Sequence, residues 1–237
     1  IAANVHHETL LNLFYTFVIN KFPRACSSAM TICFSTSSSK CQEIPNIDIE
    51  NIIDVCEQLH ISFLNSKFTF NIHKSLNRLK SKERLVELGA VYTKPFIAKD
   101  IVKDTLSRVD KPIEEGKILD FACGTGRFYE NIISLFPSAT SAILSNIYAI
   151  DIDIDALFIT RLKALSYFSE LSTETCGIIS RHIINKDALR INTPFYTDEQ
   201  YISPNDLDGL TKEGFDAVVS NPPYLVIKPN KSKIGAS

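Results

Sequence analysis

The feature that most constrains the fold is an alternation of short apolar segments with longer helical patterns, which begins near residue 81. Four β-prone segments stand out: KILDF, NIYAID, GIISRHIIN and FDAVVS. Helical spacing marks FIAKDIVKDTLSRV, where Ile97, Ile101, Val102 and Leu106 are predicted to share one face, and also RFYENIISLF and DALFITRLKALSYFSEL. Strands alternating with helices at this pitch indicate parallel strands joined by right-handed crossovers. The sequence therefore predicts an α/β fold, a Rossmann-like doubly wound parallel sheet.

Residues 1–80 do not follow this alternation and predict a mainly helical segment. Apolar residues recur at helical spacing in HHETLLNLFYTFVINKF and in DIENIIDVCEQLHISFLN. The Ser- and Thr-rich stretch between them, CSSAMTICFSTSSSKCQEIPN, predicts loop or irregular structure. We therefore expect a helical segment over residues 1–80 and a separate α/β domain over residues 81–237.

Composition and charge exclude several classes of protein. The 237 residues are 45% apolar with a net charge of −2, which is typical of a soluble domain without a global positive field for nucleic acid. The six cysteines contain no CxxC pair, and His6 and His7 are adjacent, so no metal site is predicted. Apolar runs stay shorter than the roughly 18 residues of a membrane span, and no signal peptide is visible. A cytoplasmic protein is expected.

Polar motifs at the ends of the first two predicted strands indicate a ligand site. In DFACGTG, Gly124 and Gly126 permit backbone angles closed to other residues and let a ligand approach the main chain. A dinucleotide fingerprint would need a third glycine where the chain has Tyr129, so a dehydrogenase is disfavoured. Asp151 ends the second strand, 25 residues after Gly126, where a carboxylate can accept from both hydroxyls of a ribose. The alternative is that Asp151 only caps the next helix.

Two further motifs complete the predicted ligand. Asp187 in NKDAL can accept from the exocyclic amine of an adenine, although alone it resembles any turn aspartate. Thr93 in YTKP is predicted to be a helix N-cap with Pro95 in the first turn, and such a helix start favours the carboxylate of an amino acid. A ribose, an adenine and an amino-acid tail together indicate S-adenosylmethionine. The sequence has no GxxxxGK[ST] motif for ATP.

The motif NPPY, which follows the fourth predicted strand, indicates chemistry on a planar NH₂ group. Such an amine is a poor nucleophile because its lone pair is delocalised into the attached π system. The side-chain oxygen of Asn221 and the carbonyl of Pro222 are predicted to accept its two protons, and Pro222 and Pro223 stiffen the arrangement. Tyr224 is predicted to stack on the flat target. The structural alternative is a stiff turn.

Five motifs in order, GAVYTKP, ILDFACGTG, YAIDIDIDAL, NKDAL and FDAVVSNPPY, resemble those of the amino-group methyltransferases. The resemblance covers residues 89–230 and is greatest to the N6-adenine DNA methyltransferases of restriction–modification systems. It implies the N-terminal half of the S-adenosylmethionine-dependent methyltransferase fold, and methyl transfer to an adenine flipped out of double-stranded DNA. Lys94 and Phe121 stand where that family often has proline.

The resemblance also implies roles for individual residues. Thr93 and Gly124 would hold the methionine end of the cofactor, Ile152 would pack on its adenine, and Asp187 would meet its amine. The remaining expected cofactor contacts come from the same motifs: Tyr92, Asp120, Ala122, Cys123, Gly126 and Asp151. The expected catalytic residues are Asn221, Pro222, Pro223 and Tyr224, and no metal ligand is expected.

The last expectations concern the length of the chain and two alternative functions. The family's sheet continues beyond the NPPY strand, whereas this chain ends 13 residues after Tyr224. We therefore expect the catalytic domain to be incomplete, with the remainder supplied by a longer chain or by a specificity subunit. A release-factor glutamine N5-methyltransferase is one alternative because its target amide is also a planar NH₂ group, although GAVYTKP favours the DNA enzymes. A non-catalytic, cofactor-binding scaffold subunit is an alternative of another class.

Overall fold

The computed structural model describes residues 2–34, 38–70, 76–80, 93–137, 140–188 and 214–223. Its helices are α1 (Ala2–Lys21), α2 (Cys26–Phe34), α3 (Ile52–Leu64), α4 (Pro95–Leu106), α5 (Arg127–Leu135), α6 (Thr140–Leu144), α7 (Ile154–Ser166) and α8 (Thr173–His182). Its strands are β1 (Ser66–Phe70), β2 (Leu76–Lys80), β3 (Ile118–Asp120), β4 (Ile147–Asp151), β5 (Ile183–Asn185) and β6 (Ala217–Val218). Short 3-10 helices lie at Ser38–Lys40 and Ile49–Asn51.

The last four of these strands form a parallel sheet in the order β5-β4-β3-β6. Because β3 lies between β4 and β6, the chain winds outward from β3 in both directions, and the switch point lies between β3 and β6. The strands are apolar except at their carboxyl ends, where Asp120, Asp151 and Asn185 stand, as expected for a sheet covered on both faces. Ile118 and Ile147 face the main core, while Leu119 and Ile150 belong to a smaller cluster on the other face. The predicted doubly wound α/β fold is confirmed.

Two local predictions are wrong. The segment GIISRHIIN is not one strand, because α8 continues to His182 and only Ile183–Asn185 is extended. Cys176 and Ile179 are buried at helical spacing, and the Ser172 hydroxyl caps α8 by accepting from the Thr175 amide at 3.0 Å. The Ser-rich stretch predicted as loop contains α2, which packs against α8 and buries apolar residues there.

Helix α4 does not present its predicted face to the core. Ala98 and Val102 are buried, whereas Ile97 and Ile101 are 40% and 41% exposed. Of the predicted face, only Val102 and, in part, Leu106 pack on the core, together with Ala98, and α4 contacts α5.

The helices before residue 65 share one apolar core with the sheet domain. Helices α1 and α3 pack on α7, and Phe14, Cys56 and Leu162 belong to the same buried cluster. Helices α1, α2 and α3 lie within the first 64 residues, and β1 and β2 follow as an antiparallel pair in which Ser66 lies opposite Lys80. Across the described segments, no helix combines the length and the apolarity needed to cross a membrane.

Candidate active site

The glycine-rich loop after β3 depends on two left-handed residues. Gly124 and Gly126 have φ angles of 52° and 79°, a left-handed backbone conformation that residues with a side chain rarely adopt. A Cβ atom on Gly126 would lie 2.8 Å from Thr160 Oγ1, so no side chain fits there. The same Thr160 hydroxyl donates to the carbonyl of Gly124 at 3.0 Å. Helix α7 therefore holds this loop against the carboxyl edge of the sheet.

Asp151, at the end of β4, joins the second strand to this loop. Its Oδ2 accepts from the Gly124 amide at 2.7 Å, and its Oδ1 accepts from the Asp153 amide at 2.9 Å. Burial raises the pKa of Asp151, although these backbone hydrogen bonds oppose the shift. The N-cap of α7 is Asp153, which accepts from the amides of Asp155 and Ala156. The alternative that Asp151 only caps the helix is therefore wrong.

Asp120, the last residue of β3, is fully buried without a hydrogen-bond partner for either carboxylate oxygen in the described part of the chain. Burial raises its pKa to about 7. The Ser220 hydroxyl and the Ala122 amide oppose that shift, but neither completes a hydrogen bond of ordinary geometry with it. Leaving a buried polar group unsatisfied costs about 1–3 kcal/mol, so a polar ligand at this position would explain it.

The chain brings Asn221 and Thr93 together across 128 positions of sequence. Asn221 Nδ2 donates to Thr93 Oγ1 at 3.0 Å. Thr93 is not the N-cap of α4, which is Lys94 with an extended backbone and Pro95 as the first helical residue. The proline disfavours a helical conformation for the residue before it, so Lys94 takes the cap position and the Thr93 hydroxyl bonds Asn221 instead.

The other predicted site residues that the structure describes lie around the same edge. Ile152 is 62% exposed, directly after Asp151. Asn185 Nδ2 donates to the carbonyls of Asp151 and Ile152, each at 3.0 Å, and so ties the end of β5, two residues before Asp187, to the end of β4. Cys123 is buried, which raises the pKa of its thiol well above the usual value.

The structure gives the burial of four further predicted site residues and does not describe two others. Ala122 and Asp187 are half-buried, whereas Pro222 and Pro223 are exposed. Tyr92 and Tyr224 lie outside the described residues.

A buried ion-pair cluster behind the glycine-rich loop has no counterpart in the predicted site. Lys163 Nζ donates to Glu57 Oε1 at 2.5 Å and to Glu130 Oε2 at 3.0 Å, and the Lys163 side chain is only 2% exposed. Glu57 also accepts from the Thr125 hydroxyl at 2.9 Å and pairs with Arg127 at 3.4 Å. Burial alone would raise the pKa of Glu57, but Lys163 and Arg127 bring it below the usual value. Glu57 belongs to α3, where no sequence motif marks it.

Comparison with known proteins shows what the chain is similar to. Residues 145–236 match the family model described as Eco57I restriction-modification methylase. The predicted resemblance to restriction–modification methyltransferases is confirmed. A "Bifunctional methyltransferase" of Rickettsia felis is 26% identical over 182 residues, which cover 77% of this chain and 24% of that protein. Both matches support methyl transfer as the reaction class, while no solved structure matches the chain.

The region that matches the restriction–modification methylases covers only part of the site. Asp151 and Asn221 lie inside it, while Thr93 and the glycine-rich loop precede it. The two parts are nevertheless joined by direct hydrogen bonds, from the Gly124 amide to Asp151 and from Asn221 to Thr93. The methylase match and the preceding motifs therefore contribute to one continuous edge of the sheet.

Proposed function

We propose that this chain binds S-adenosylmethionine and transfers its methyl group to the N6 amine of an adenine flipped out of double-stranded DNA, within a restriction–modification system. The observation that carries the proposal is the Asn221–Thr93 hydrogen bond. It connects the Asn-Pro-Pro element after β6 to the element before α4, on the sheet whose edge holds Asp120 and Asp151. Two elements predicted to act on the same methyl group are thereby held in direct contact.

The residues at the ends of β3 and β4 fit the proposed cofactor. The two Asp151 oxygens each accept one backbone hydrogen bond, and a carboxylate oxygen has a second lone pair that a ribose hydroxyl can use. The exposed side chain of Ile152 offers an apolar surface for an adenine ring, and Asp187 follows on the neighbouring strand. The partnerless carboxylate of Asp120 suits the cationic part of this ligand. When bound, S-adenosylmethionine supplies a methyl group on a sulfonium that leaves readily.

In this proposal, Asn221 and Pro222 increase the nucleophilicity of an amine whose lone pair is delocalised into the attached ring. With Nδ2 donating to Thr93, the Asn221 amide has its Oδ1 as the acceptor for one amine proton. The carbonyl of Pro222 accepts the other, and Pro222 and Pro223 restrict how far these oxygens move. Fixed acceptors stabilise the positive charge that develops on the nitrogen as the methyl group is transferred, at little reorganisation cost. Tyr224 would stack on the extruded base.

A methyl-transfer assay with radiolabelled S-adenosylmethionine tests the proposal. The 237-residue chain is incubated with double-stranded DNA or with a translation release factor, and the label is located in each. We expect label on adenine in DNA, and a kcat lower by roughly 10²- to 10³-fold in Asn221→Ala with cofactor affinity kept within about two-fold. A matched control is Asn131→Ala, whose amide donates to the Arg127 carbonyl within its own helix.

Two results would contradict the proposal and identify the alternatives. Label that appears only on the release factor would assign the chain to glutamine N5-methylation, which uses the same acceptors. Absence of heat in a calorimetric titration with S-adenosylmethionine, together with absence of label, would assign it to a non-catalytic scaffold.

A further inference from the structure

Two histidines and an aspartate converge where α1 and α3 meet the beginning of α7. His6 Nε2 lies 3.2 Å from His60 Nδ1 and 3.8 Å from Asp155 Oδ2. One nitrogen or oxygen of each of the three residues lies within 4.8 Å of the others. They come from three separate helices, so the convergence results from packing and not from a local turn.

These side chains are largely withdrawn from water. His6 is 8% exposed and His60 1% exposed, and the side chain of Asp155 is 15% exposed. A solvated acidic cluster does not have this composition or this burial. If no ligand binds, the cluster is a buried hydrogen-bond network. In that network His6 Nε2 and His60 Nδ1 share a single proton.

The outer contacts of the cluster favour a bound cation. His60 Nε2 lies 3.3 Å from Asp153 Oδ2, and His7 Nδ1 lies 2.6 Å from Asp155 Oδ1. A ligating histidine usually directs its other ring N–H to a carboxylate, and a ligating carboxylate is itself hydrogen-bonded. Here the His7 imidazole bonds the Asp155 carboxylate in this way, and the Asp153 carboxylate lies close to His60 Nε2, although that contact does not have hydrogen-bond geometry.

We propose that His6 Nε2, His60 Nδ1 and Asp155 Oδ2 bind one zinc ion, with water as the fourth ligand. Tetrahedral zinc with bonds of about 2.0–2.1 Å places neighbouring ligand atoms about 3.3–3.4 Å apart, close to the two measured separations. Two imidazoles and one carboxylate favour zinc over the harder cations Mg²⁺ and Ca²⁺. The site is independent of the proposed methyl target.

The position of the site suggests a structural role. The ion would join the N-terminal helices to the first turn of α7, and Asp153, which contacts His60, also donates its amide to Asp151. Zinc would therefore hold α1 and α3 against the segment that follows the acid at the end of β4.

Metal titration of the chelator-treated, full 237-residue chain tests the proposal. We expect one equivalent of Zn²⁺ to bind in competition with a chromophoric chelator and to raise the unfolding temperature. Co²⁺ in its place should give the intense visible absorption of a four-coordinate site. His6→Gln and His60→Gln should each weaken zinc binding by at least about 100-fold, and His7→Gln, which alters only an outer contact, by about 10-fold.

His182→Gln is the matched control, since it removes a buried imidazole that stacks on Tyr148 and is not among the three proposed ligands, and it should leave zinc affinity unchanged. Failure of the wild-type chain to take up one equivalent of zinc overturns the proposal. So does a weak six-coordinate cobalt spectrum, or zinc affinity that is unchanged in the folded His6→Gln variant. If His60→Gln does not fold, as circular dichroism would show, the wild-type cobalt spectrum and His6→Gln still decide the question.

Discussion

Two acidic side chains next to the glycine-rich loop have opposite surroundings. Asp120 precedes the loop, is fully buried, and has no hydrogen-bond partner among the residues that the structure describes. Glu57 approaches the loop from α3, is 7% exposed, and is bound by Thr125, Arg127 and Lys163. Their pKa values move in opposite directions, since burial raises that of Asp120 to about 7 whereas Lys163 and Arg127 overcome burial and lower that of Glu57.

The difference separates a carboxylate that is fully paired within the fold from one that has no partner among the described residues. A buried charge that is fully paired is already compensated within the fold. Removing one partner leaves the charge of the other partner uncompensated. A buried carboxylate without a partner is unfavourable in the folded chain alone and becomes favourable when a cationic ligand binds. Glu57 therefore supports the loop, and under our proposal the binding of S-adenosylmethionine would remove an existing cost at Asp120.

The largest effect should come from removing the partner of Glu57. Lys163→Met leaves the carboxylate buried beside Arg127 alone, and we expect the free energy of unfolding to fall by about 3–5 kcal/mol in urea titrations. The additional change Glu57→Leu should restore most of that loss, because no buried charge remains. The control is Arg108→Met, whose ion pair with Asp104 is exposed and whose loss should leave the unfolding midpoint unchanged. A loss below about 1 kcal/mol in Lys163→Met would show that this cluster does not stabilise the fold.

Asp151→Ala tests the proposed ligand-binding edge, at the carboxylate that ends β4. The substitution removes the acceptor of the Gly124 amide and both acceptors proposed for the ribose hydroxyls. Hydrogen bonds to a charged group contribute about 1.5–3 kcal/mol each, so we expect cofactor affinity measured by calorimetry to fall by at least about 100-fold. Asp153→Ala removes the cap of α7 and should cost about 1 kcal/mol of stability without that loss of affinity. Equal losses of affinity in the two variants would contradict a specific role for Asp151.

The pH dependence of unfolding tests the surroundings of Asp120. Because its folded pKa of about 7 lies above the ordinary value of 3.8, the folded chain keeps a proton that the unfolded chain has lost in this interval. Stability should therefore fall as the pH rises from about 4 to about 7, by up to about 1.4 kcal/mol per unit, and level off above that range. The raised pKa of Asp151 adds to this slope, and the lowered pKa of His6 opposes it up to about pH 6.5. The lowered pKa values of Glu57 and Asp153 act near and below pH 4, where falling pH reduces stability.

The measurement is urea unfolding at pH 5, 6, 7 and 8 for the wild type and for Asp120→Asn. The variant carries no titrating group at this position, so most of the slope should disappear. An equal slope in both proteins would assign the titration to another group and remove the contrast between Asp120 and Glu57.

Features that depend on local pattern were predictable from the sequence. The alternation of strands and helices predicted the sheet, and the carboxyl ends of parallel strands share an edge, so Gly124 and Asp151 were expected near each other. The boundary between α8 and β5 was missed because the apolar residues of GIISRHIIN satisfy both helical and extended spacing. The contacts of Glu57 with Lys163 and of His6 with His60 span 106 and 54 positions, respectively. No local pattern encodes such pairs, since helix packing alone brings them together.

The smallest expected effect concerns the neutral hydrogen bond between Thr93 and Asn221. The sequence predicted that Thr93 holds the methionine end of the cofactor, whereas the structure bonds its hydroxyl to Asn221 Nδ2 at 3.0 Å. If its main role is to orient that amide, Thr93→Val should lower kcat about five- to ten-fold, as expected for one neutral hydrogen bond of about 1 kcal/mol, with cofactor affinity kept within about two-fold. Thr93→Ser keeps the hydroxyl and should retain the wild-type rate. A loss of cofactor affinity in Thr93→Val with unchanged kcat would instead assign Thr93 to the cofactor, and Asn221 would then need another residue to hold its amide in place.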